Sequence, residues 1–251
     1  PFGPPVDLEG LSEADRARLV AAGVDTCFSN PGTSEMHFVA ALDTVPEMRG
    51  VLALFEGVAT GAADGYARMT GGPAATLLHL GPGLGNGLAN LHNARKGHVP
   101  VVNIVGDHAT YHKQYDAQLE SDIETVARNV SPWVRWSHTP ADIGKDAAEA
   151  VAVASGPPGQ VATLILPADV SWSAGGLVAE PIPPRPPSPV DADTVEVVAK
   201  ALRSGEKCGF LLGGQPLRAD GLVAASRVAN ATGAGMLAET FPTRLERGAG
   251  R

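Results

Sequence analysis

The fold is decided by the stretch Val51-Leu52-Ala53-Leu54-Phe55-Glu56-Gly57-Val58-Ala59-Thr60-Gly61-Ala62-Ala63, in which an apolar strand gives way to a helix of small residues. Similar short apolar runs alternate with Ala-rich amphipathic stretches along the chain, a pattern typical of βαβ units. Because ligands bind at the carboxyl ends of strands in such sheets, Glu56 is a candidate proton-transferring residue. The alternative is an ordinary acid at a helix start, which the helix dipole favours.

This alternation predicts an α/β fold with a doubly wound, mostly parallel sheet flanked by helices, followed by an incomplete second α/β domain. In the first domain the predicted strands are Asp25–Phe28, Val51–Leu54, Ala75–Leu80, Val99–Val105, Trp133–Ser137 and Ala162–Leu166. The predicted helices between them are Ser12–Ala22, Ser34–Leu42, Val58–Met69, Gly87–Lys96, Ile123–Asn129 and Ala141–Ala154.

A proline-rich segment divides the sequence. It contains Pro181-Ile182-Pro183-Pro184-Arg185-Pro186-Pro187-Ser188-Pro189, where missing amide donors and fixed φ angles exclude regular helix or sheet. We therefore predict a first domain over 1–172, a linker over 173–190 and the start of a Rossmann-like domain over 191–251. The elements predicted after the linker are helix Asp191–Arg203, strand Lys207–Leu212, helix Arg218–Thr232 and strand Gly235–Ala238.

Composition narrows the classes of partner. Of the 251 residues 44% are hydrophobic, enough to bury a full core. The 27 acidic side chains outnumber the 19 basic ones, and a net charge of -8 argues against nucleic acid or an anionic membrane as partner. Cys27 and Cys208 lie in separate apolar runs without metal-ligand spacing, and no secretory signal pattern opens the sequence. We therefore expect a cytoplasmic protein whose cysteines stay reduced.

Two loops carry candidate ligand-binding residues. Asn30-Pro31-Gly32-Thr33 follows a predicted strand, so Thr33 could present its hydroxyl to a ligand, although turn and helix-cap chemistry explains the same residues. His79 precedes the glycine-rich segment Gly81-Pro82-Gly83, at the end of another predicted strand. An imidazole there could exchange protons, or it could be a hydrogen-bonded structural residue. The glycines lack the spacing of a dinucleotide-binding fingerprint.

A third loop follows the next apolar strand and begins with Gly106-Asp107-His108. Asp107 and His108 could line a cleft, or Asp107 could cap a turn while the histidine stays solvated. We assign no metal site to this loop, because its residues match no specific ligand spacing.

Taken together, these loops resemble the amino-terminal pyrimidine-binding domain of thiamine diphosphate-dependent enzymes, in the group that contains benzoylformate decarboxylase and the acetolactate synthase large subunit. The resemblance extends from about Gly23 to Trp172 and continues more weakly after the linker. It rests on motifs in a fixed order: Asn30-Pro31-Gly32-Thr33, Phe55-Glu56-Gly57 with Ala63-Asp64-Gly65-Tyr66-Ala67, Gly81-Pro82-Gly83 with Asn86, and Pro167-Ala168-Asp169-Val170.

The resemblance implies roles for individual residues. Glu56 would hydrogen-bond the pyrimidine ring of the cofactor and promote deprotonation of its thiazolium carbon. His79 would transfer protons during the reaction, and Thr33 would orient the carboxylate of a 2-oxo acid substrate. The further cofactor-binding residues implied are Asn30, Pro31, Gly32, Gly81, Pro82, Gly83 and Asn86.

The resemblance is mixed in detail. His79 resembles the benzoylformate decarboxylase pattern, whereas Gly81-Pro82-Gly83 is closer to acetolactate synthase, and Asp107 stands where the family commonly has Gln. The expected activity is therefore a 2-oxo acid decarboxylase or carboligase. Acetolactate synthase proper and a noncatalytic cofactor-binding or regulatory homologue are the alternatives.

The family also binds diphosphate and Mg²⁺ through a Gly-Asp-Gly motif followed by Asn, and Gly106-Asp107-His108 does not reproduce it. We therefore expect the carboxyl-terminal diphosphate-binding domain, with the Mg²⁺ ligands, to lie outside this chain. FAD is left open. The resemblance implies a homo-dimer or homo-tetramer with its active site at the subunit interface.

Overall fold

The computed structural model describes residues 22–247, so the predicted helix Ser12–Ala22 lies outside the described residues except for its last position. The chain forms two compact units that divide between Arg185 and Pro186, inside the proline-rich segment. No helix within residues 22–247 combines the length and apolar character needed to cross a membrane.

The first unit contains one parallel sheet of six strands, in the order β2-β1-β3-β4-β6-β5. The strands are β1 Thr26–Asn30, β2 Arg49–Leu52, β3 Ala74–Leu78, β4 Val101–Asp107, β5 Trp133–Trp136 and β6 Val161–Pro167. The helices of this unit are α1 Met36–Leu42, α2 Glu56–Thr70, α3 Leu80–Lys96, α4 Ile123–Ala127, α5 Pro140–Ser155 and α6 Ala168–Trp172. Short 3-10 turns occur at Thr33–Glu35 and Lys113–Tyr115.

Helices cover both faces of this sheet because alternate side chains of each strand point in opposite directions. Leu78 and Val105 join one buried cluster, with side chains from α2, α3 and α4. Leu77 and Ile104, their neighbours along the strands, join the opposite cluster with side chains from α1 and α5. The predicted doubly wound, mostly parallel sheet is thereby confirmed.

The largest boundary error lies at the start of α3. The sequence placed a strand through Leu80 and a loop before Gly87, whereas β3 ends at Leu78 and α3 begins at Leu80. Leu80 has a φ of 55°, which ends the extended conformation. Pro82 is tolerated because a first-turn residue needs no amide hydrogen, and the Gly83 amide donates to the His79 carbonyl at 2.9 Å. Gly81-Pro82-Gly83 is therefore the first turn of a helix.

The strand order fixes where a ligand could bind. The chain passes from β1 to β2 on one side and then returns to pair β3 with the other side of β1. Connections that leave two neighbouring strands in opposite directions open a crevice at the carboxyl edge of the sheet. The loop after β1 and the start of α3 after β3 border this crevice.

The second unit contains helix α7 Ala192–Leu202, strand β7 Gly209–Leu212, helix α8 Ala219–Thr232 and strand β8 Gly235–Ala238. The two strands pair in parallel through residues 209–212 and 235–238. A short 3-10 turn at Gln215–Leu217 precedes α8.

A buried polar ladder crosses the centre of the first sheet. The Thr76 hydroxyl donates to Asn103 Oδ1 at 2.8 Å, and Asn103 Nδ2 donates to the Thr163 hydroxyl at 3.1 Å. All three side chains are fully buried and occupy paired positions on β3, β4 and β6. The amide thus satisfies a hydroxyl on each neighbouring strand.

We expect Asn103→Ala to lower the free energy of unfolding by about 1–3 kcal/mol, because it leaves two buried hydroxyls without their partner. Urea unfolding, followed by the tryptophan fluorescence of the first unit, measures the loss. Asn93→Ala is the matched control, since Asn93 is exposed on α3. Equal stability of the two variants would contradict this account of the ladder.

Candidate active site

Glu56 is the first residue of α2, and its carboxylate is held from α3. Asn86 Nδ2 donates to Glu56 Oε2 at 3.0 Å. Within residues 22–247 no hydrogen bond to Glu56 Oε1 is found. That oxygen lies over Gly83, where an added Cβ would stand 3.3 Å away from it. One carboxylate oxygen is therefore fixed, and the other is available to a ligand.

Close packing of α2 on α3 sets this geometry. The Thr60 hydroxyl donates to the Gly87 carbonyl at 3.1 Å, and Asn90 Nδ2 donates to the Gly57 carbonyl at 2.6 Å. A Cβ at Gly87 would approach Thr60 Cγ2 to 2.9 Å. The missing side chain at Gly87 thus allows the helices to approach and keeps Glu56 beside Asn86.

His79 pairs with a carboxylate that the sequence analysis did not select. Its Nδ1 lies 2.8 Å from Glu35 Oε2, and the same oxygen accepts the Gly32 amide hydrogen at 2.7 Å. A Cβ at Gly32 would lie about 2.4 Å from the imidazole ring atoms. The turn after β1 must therefore carry glycine at this position to receive the histidine that follows β3.

Glu35 is almost completely buried, with 1% of its side chain exposed. Its Oε1 is buried and has no hydrogen-bond partner among residues 22–247, and it packs against Gly106, where any Cβ would overlap it. Burial raises the pKa of the Glu35 carboxyl, opposed by the hydrogen bond from Gly32 and by the nearby His79. The sequence signal was its position three residues after Gly32, the spacing at which a glutamate bonds back to a turn amide.

Glu56 and His79 meet at the start of α3. A Cβ on Gly83 would lie 3.3 Å from Glu56 Oε1 and 3.6 Å from His79 Cβ, so Glu56 and His79 flank the same glycine. Leu80, between His79 and Gly83, is buried at a positive φ. Such a conformation costs about 1–3 kcal/mol in a non-glycine residue and is concentrated at functional sites.

The remaining predicted residues of the first two loops differ in their burial and in their contacts. Asn30 Nδ2 donates to the Ala53 carbonyl at 3.0 Å and so joins the ends of β1 and β2. Pro31 is half-buried, Thr33 is exposed at the start of its 3-10 turn, and Pro82 is exposed. Gly81 is buried against Ser121, whose Oγ would lie 2.2 Å from a Cβ at that position.

Asp107 and His108 make contacts that stabilise a neighbouring loop. Asp107 is buried at the end of β4, and Lys113 Nζ lies 2.9 Å from its carboxylate and 2.6 Å from that of Glu120. Burial raises the pKa of Asp107, opposed by Lys113. His108 Nε2 lies 3.1 Å from the Gln118 carbonyl. These contacts hold residues 108–120 in place, and no hydrogen bond or ion pair joins Asp107 to Glu56 or His79 in the described part of the chain.

The region that contains this site matches a known family. The family described as "Thiamine pyrophosphate enzyme, N-terminal TPP binding domain" matches residues 12–127. This region of the chain belongs to the thiamine pyrophosphate enzyme family. Within residues 22–247, no group of three or more His, Cys, Asp or Glu side chains is arranged to hold a metal ion.

Relatives of the chain are named as acetolactate synthases or as benzoylformate decarboxylases. A Mycobacterium tuberculosis protein provisionally named acetolactate synthase large subunit is 65% identical over 233 residues, covering 92% of this chain and 44% of that protein. Benzoylformate decarboxylase of Pseudomonas aeruginosa is 35% identical over 154 residues, covering 60% of this chain and 28% of the enzyme. The chain therefore spans less than half the length of these relatives.

A solved structure shares the fold. The thiamine diphosphate-dependent 4-hydroxybenzoylformate decarboxylase of Rhodococcus jostii RHA1 superposes with a TM-score of 0.81 at 25% identity. The match covers 92% of this chain and 44% of that one.

The Glu35 carboxyl predicts a specific dependence of stability on pH. Because its pKa is raised, the folded chain keeps a proton that the unfolded chain releases, so the free energy of unfolding falls as pH rises through that window. Glu35→Gln removes this ionisation with little change in size. We expect the stability of the variant relative to the wild type to increase as pH rises above about 4.3, the ordinary pKa of a glutamate side chain.

Urea unfolding at each pH measures this difference. Glu47→Gln, at an exposed loop position, is the control and should give a constant difference. A His79→Gln background separates the carboxyl from its imidazole partner. Parallel pH profiles for wild type and Glu35→Gln would show that burial does not perturb this carboxyl.

Proposed function

We propose that this chain is part of a thiamine diphosphate-dependent enzyme that decarboxylates a 2-oxo acid or joins it to a second carbonyl compound. Family membership supports the cofactor. The observation that carries the proposal is the Glu56 carboxylate, with Oε2 fixed by Asn86 and Oε1 facing Gly83 without a partner in the part of the chain that the structure describes.

This arrangement fits the pyrimidine ring of the cofactor. A planar ring can approach closely because Gly83 has no side chain, and Glu56 Oε1 is available to hydrogen-bond a ring nitrogen. Glu56 would hold a proton at that contact and release it during activation. When bound, thiamine diphosphate supplies the electron sink for cleavage of the bond next to the substrate carbonyl.

His79 and Thr33 would act on the substrate side. The imidazole of His79 can carry a proton to or from a reacting group, and Glu35 fixes the orientation of its ring through Nδ1. The exposed hydroxyl of Thr33 would orient the substrate carboxylate. The 2-oxo acid is thus bound between a hydroxyl and a proton carrier, with Glu56 on the cofactor side.

We propose that the enzyme works as a homo-dimer or homo-tetramer with the site at a subunit interface. Four apolar side chains beside Glu56 are exposed in this chain: Leu52 by 70%, Leu54 by 92%, Phe55 by 48% and Val58 by 58%. An apolar surface of this kind is typical of a protein–protein contact. A partner there would also exclude water from the Glu56 carboxylate.

Acetolactate synthase is the second candidate, favoured by the name of the relative that is 65% identical. The His79–Glu35 pair instead favours the decarboxylase, because an aldehyde product requires a proton donor at the reacting carbon. Product analysis separates the two: the protein, together with the diphosphate-binding domain expected outside this chain, is incubated with thiamine diphosphate, Mg²⁺ and either pyruvate or benzoylformate. Benzaldehyde from benzoylformate supports the decarboxylase, and acetolactate from pyruvate supports the synthase. Cofactor binding without carbon dioxide release from either acid would refute both.

For the role of Glu56, we expect Glu56→Gln to slow hydrogen–deuterium exchange at the thiazolium carbon of the bound cofactor by about 10²–10⁴-fold, because the amide cannot relay a proton. NMR of the quenched cofactor measures the exchange. Glu47→Gln should exchange at the wild-type rate. An unchanged rate in a folded Glu56→Gln protein that still binds the cofactor would remove Glu56 from this role.

A further inference from the structure

The amino edge of the first sheet contains a cavity of about 740 Å³, on the edge opposite to Glu56. It lies where α3 and α5 end and β4, β5 and β6 begin, and the segment Ile182–Arg185 adds a wall. This volume is within the usual range for small-molecule sites, about 300–1,000 Å³.

The cavity is lined by more cations than anions. Arg95, Lys96 and Arg185 line it, and none of the three has an ion-pair partner within residues 22–247. Glu149 is the acid in the lining, and Arg135 Nη2 lies 3.2 Å from its carboxylate. The local charge is therefore positive, although the whole chain has a net charge of -8.

The negative ends of the helices do not by themselves neutralise the charge of these cations. In the last turn of α3, carbonyls accept the amides of Gly97, His98 and Val99 at 2.9, 3.3 and 2.9 Å. In α5 they accept the amides of Gly156 and Gln160 at 3.3 and 3.0 Å. The two helix dipoles contribute about half a negative charge each, so about two positive charges remain uncompensated.

The rest of the lining is apolar. Val153, Pro157, Pro158, Ile182 and Pro183 provide rigid hydrocarbon surface next to the cations. A simple inorganic anion would leave this surface unused, whereas a flat apolar body could pack against it.

We propose that this cavity binds a small organic phosphate of the nucleotide class. Its phosphates would bind Arg95, Lys96 and Arg185, since guanidinium groups donate paired hydrogen bonds to phosphate oxygens. Its planar base would pack on the proline-rich wall. Such a site is separate from the Glu56 crevice, because it lies at the other edge of the sheet.

Titration calorimetry of the chain with ADP at low ionic strength tests the proposal. We expect saturable binding that weakens as salt screens the charges. Arg95→Gln with Arg185→Gln should raise the Kd by about tenfold or more, because charge-assisted hydrogen bonds are lost. Lys145→Gln is the matched control, since Lys145 is exposed on α5 outside the cavity lining. It should bind ADP as the wild type does.

Three further measurements make the result decisive. Pyrophosphate and adenosine should each bind more weakly than ADP, and Glu56→Gln should not alter ADP binding. Loss of ADP binding in Glu56→Gln, or ADP binding unaffected by the double arginine variant, would overturn the proposal. Absence of any ADP binding at about 1 mM would do so as well, leaving the cations as a solvated surface.

Discussion

The reversal of strand order between β1 and β3 is the constraint on which the site depends. Because the chain leaves these neighbouring strands in opposite directions, a crevice opens above their carboxyl ends. Gly32 and Glu35 enter that space from β1, and His79 enters it from β3. The parallel register is also fixed internally, since Asn103 bonds to both neighbouring strands and a slip by one residue would bury it unpaired.

Within that crevice, the buried Glu35 carboxyl sets requirements on distant parts of the chain. Burying an ionised carboxylate without partners is costly, and here the Gly32 amide and His79 offset the cost at one oxygen. The other oxygen reaches Gly106 on β4, so three strand ends meet at one carboxyl group. The glycines at 32 and 106 are consequences of this contact, because each leaves room for one half of the pair.

The sequence alone predicted the α/β class and the core of every strand in the first unit, since apolar runs and Gly or Pro boundaries are local signals. It failed at Leu80, whose positive φ ends the strand early, and at Gly81, which lies against Ser121 from a distant part of the chain. Glu56, His79 and Asn86 were selected from motifs, and their roles remain predictions. Glu35 was missed because its partners, His79 and Gly106, are brought to it only by strand pairing.

The two edges of a parallel sheet differ in helix-dipole charge, and the charged side chains of this chain follow that difference. At the carboxyl edge helices begin, so their positive ends favour carboxylates such as Glu56. At the amino edge helices end, and their negative ends favour cations such as Arg95 and Lys96. At the amino edge, the ends of α3 and α5 together offset only about one positive charge. They do not account for Arg185, which belongs to no helix and still adds its charge to the same cavity, so the excess there is a property of the assembled surface.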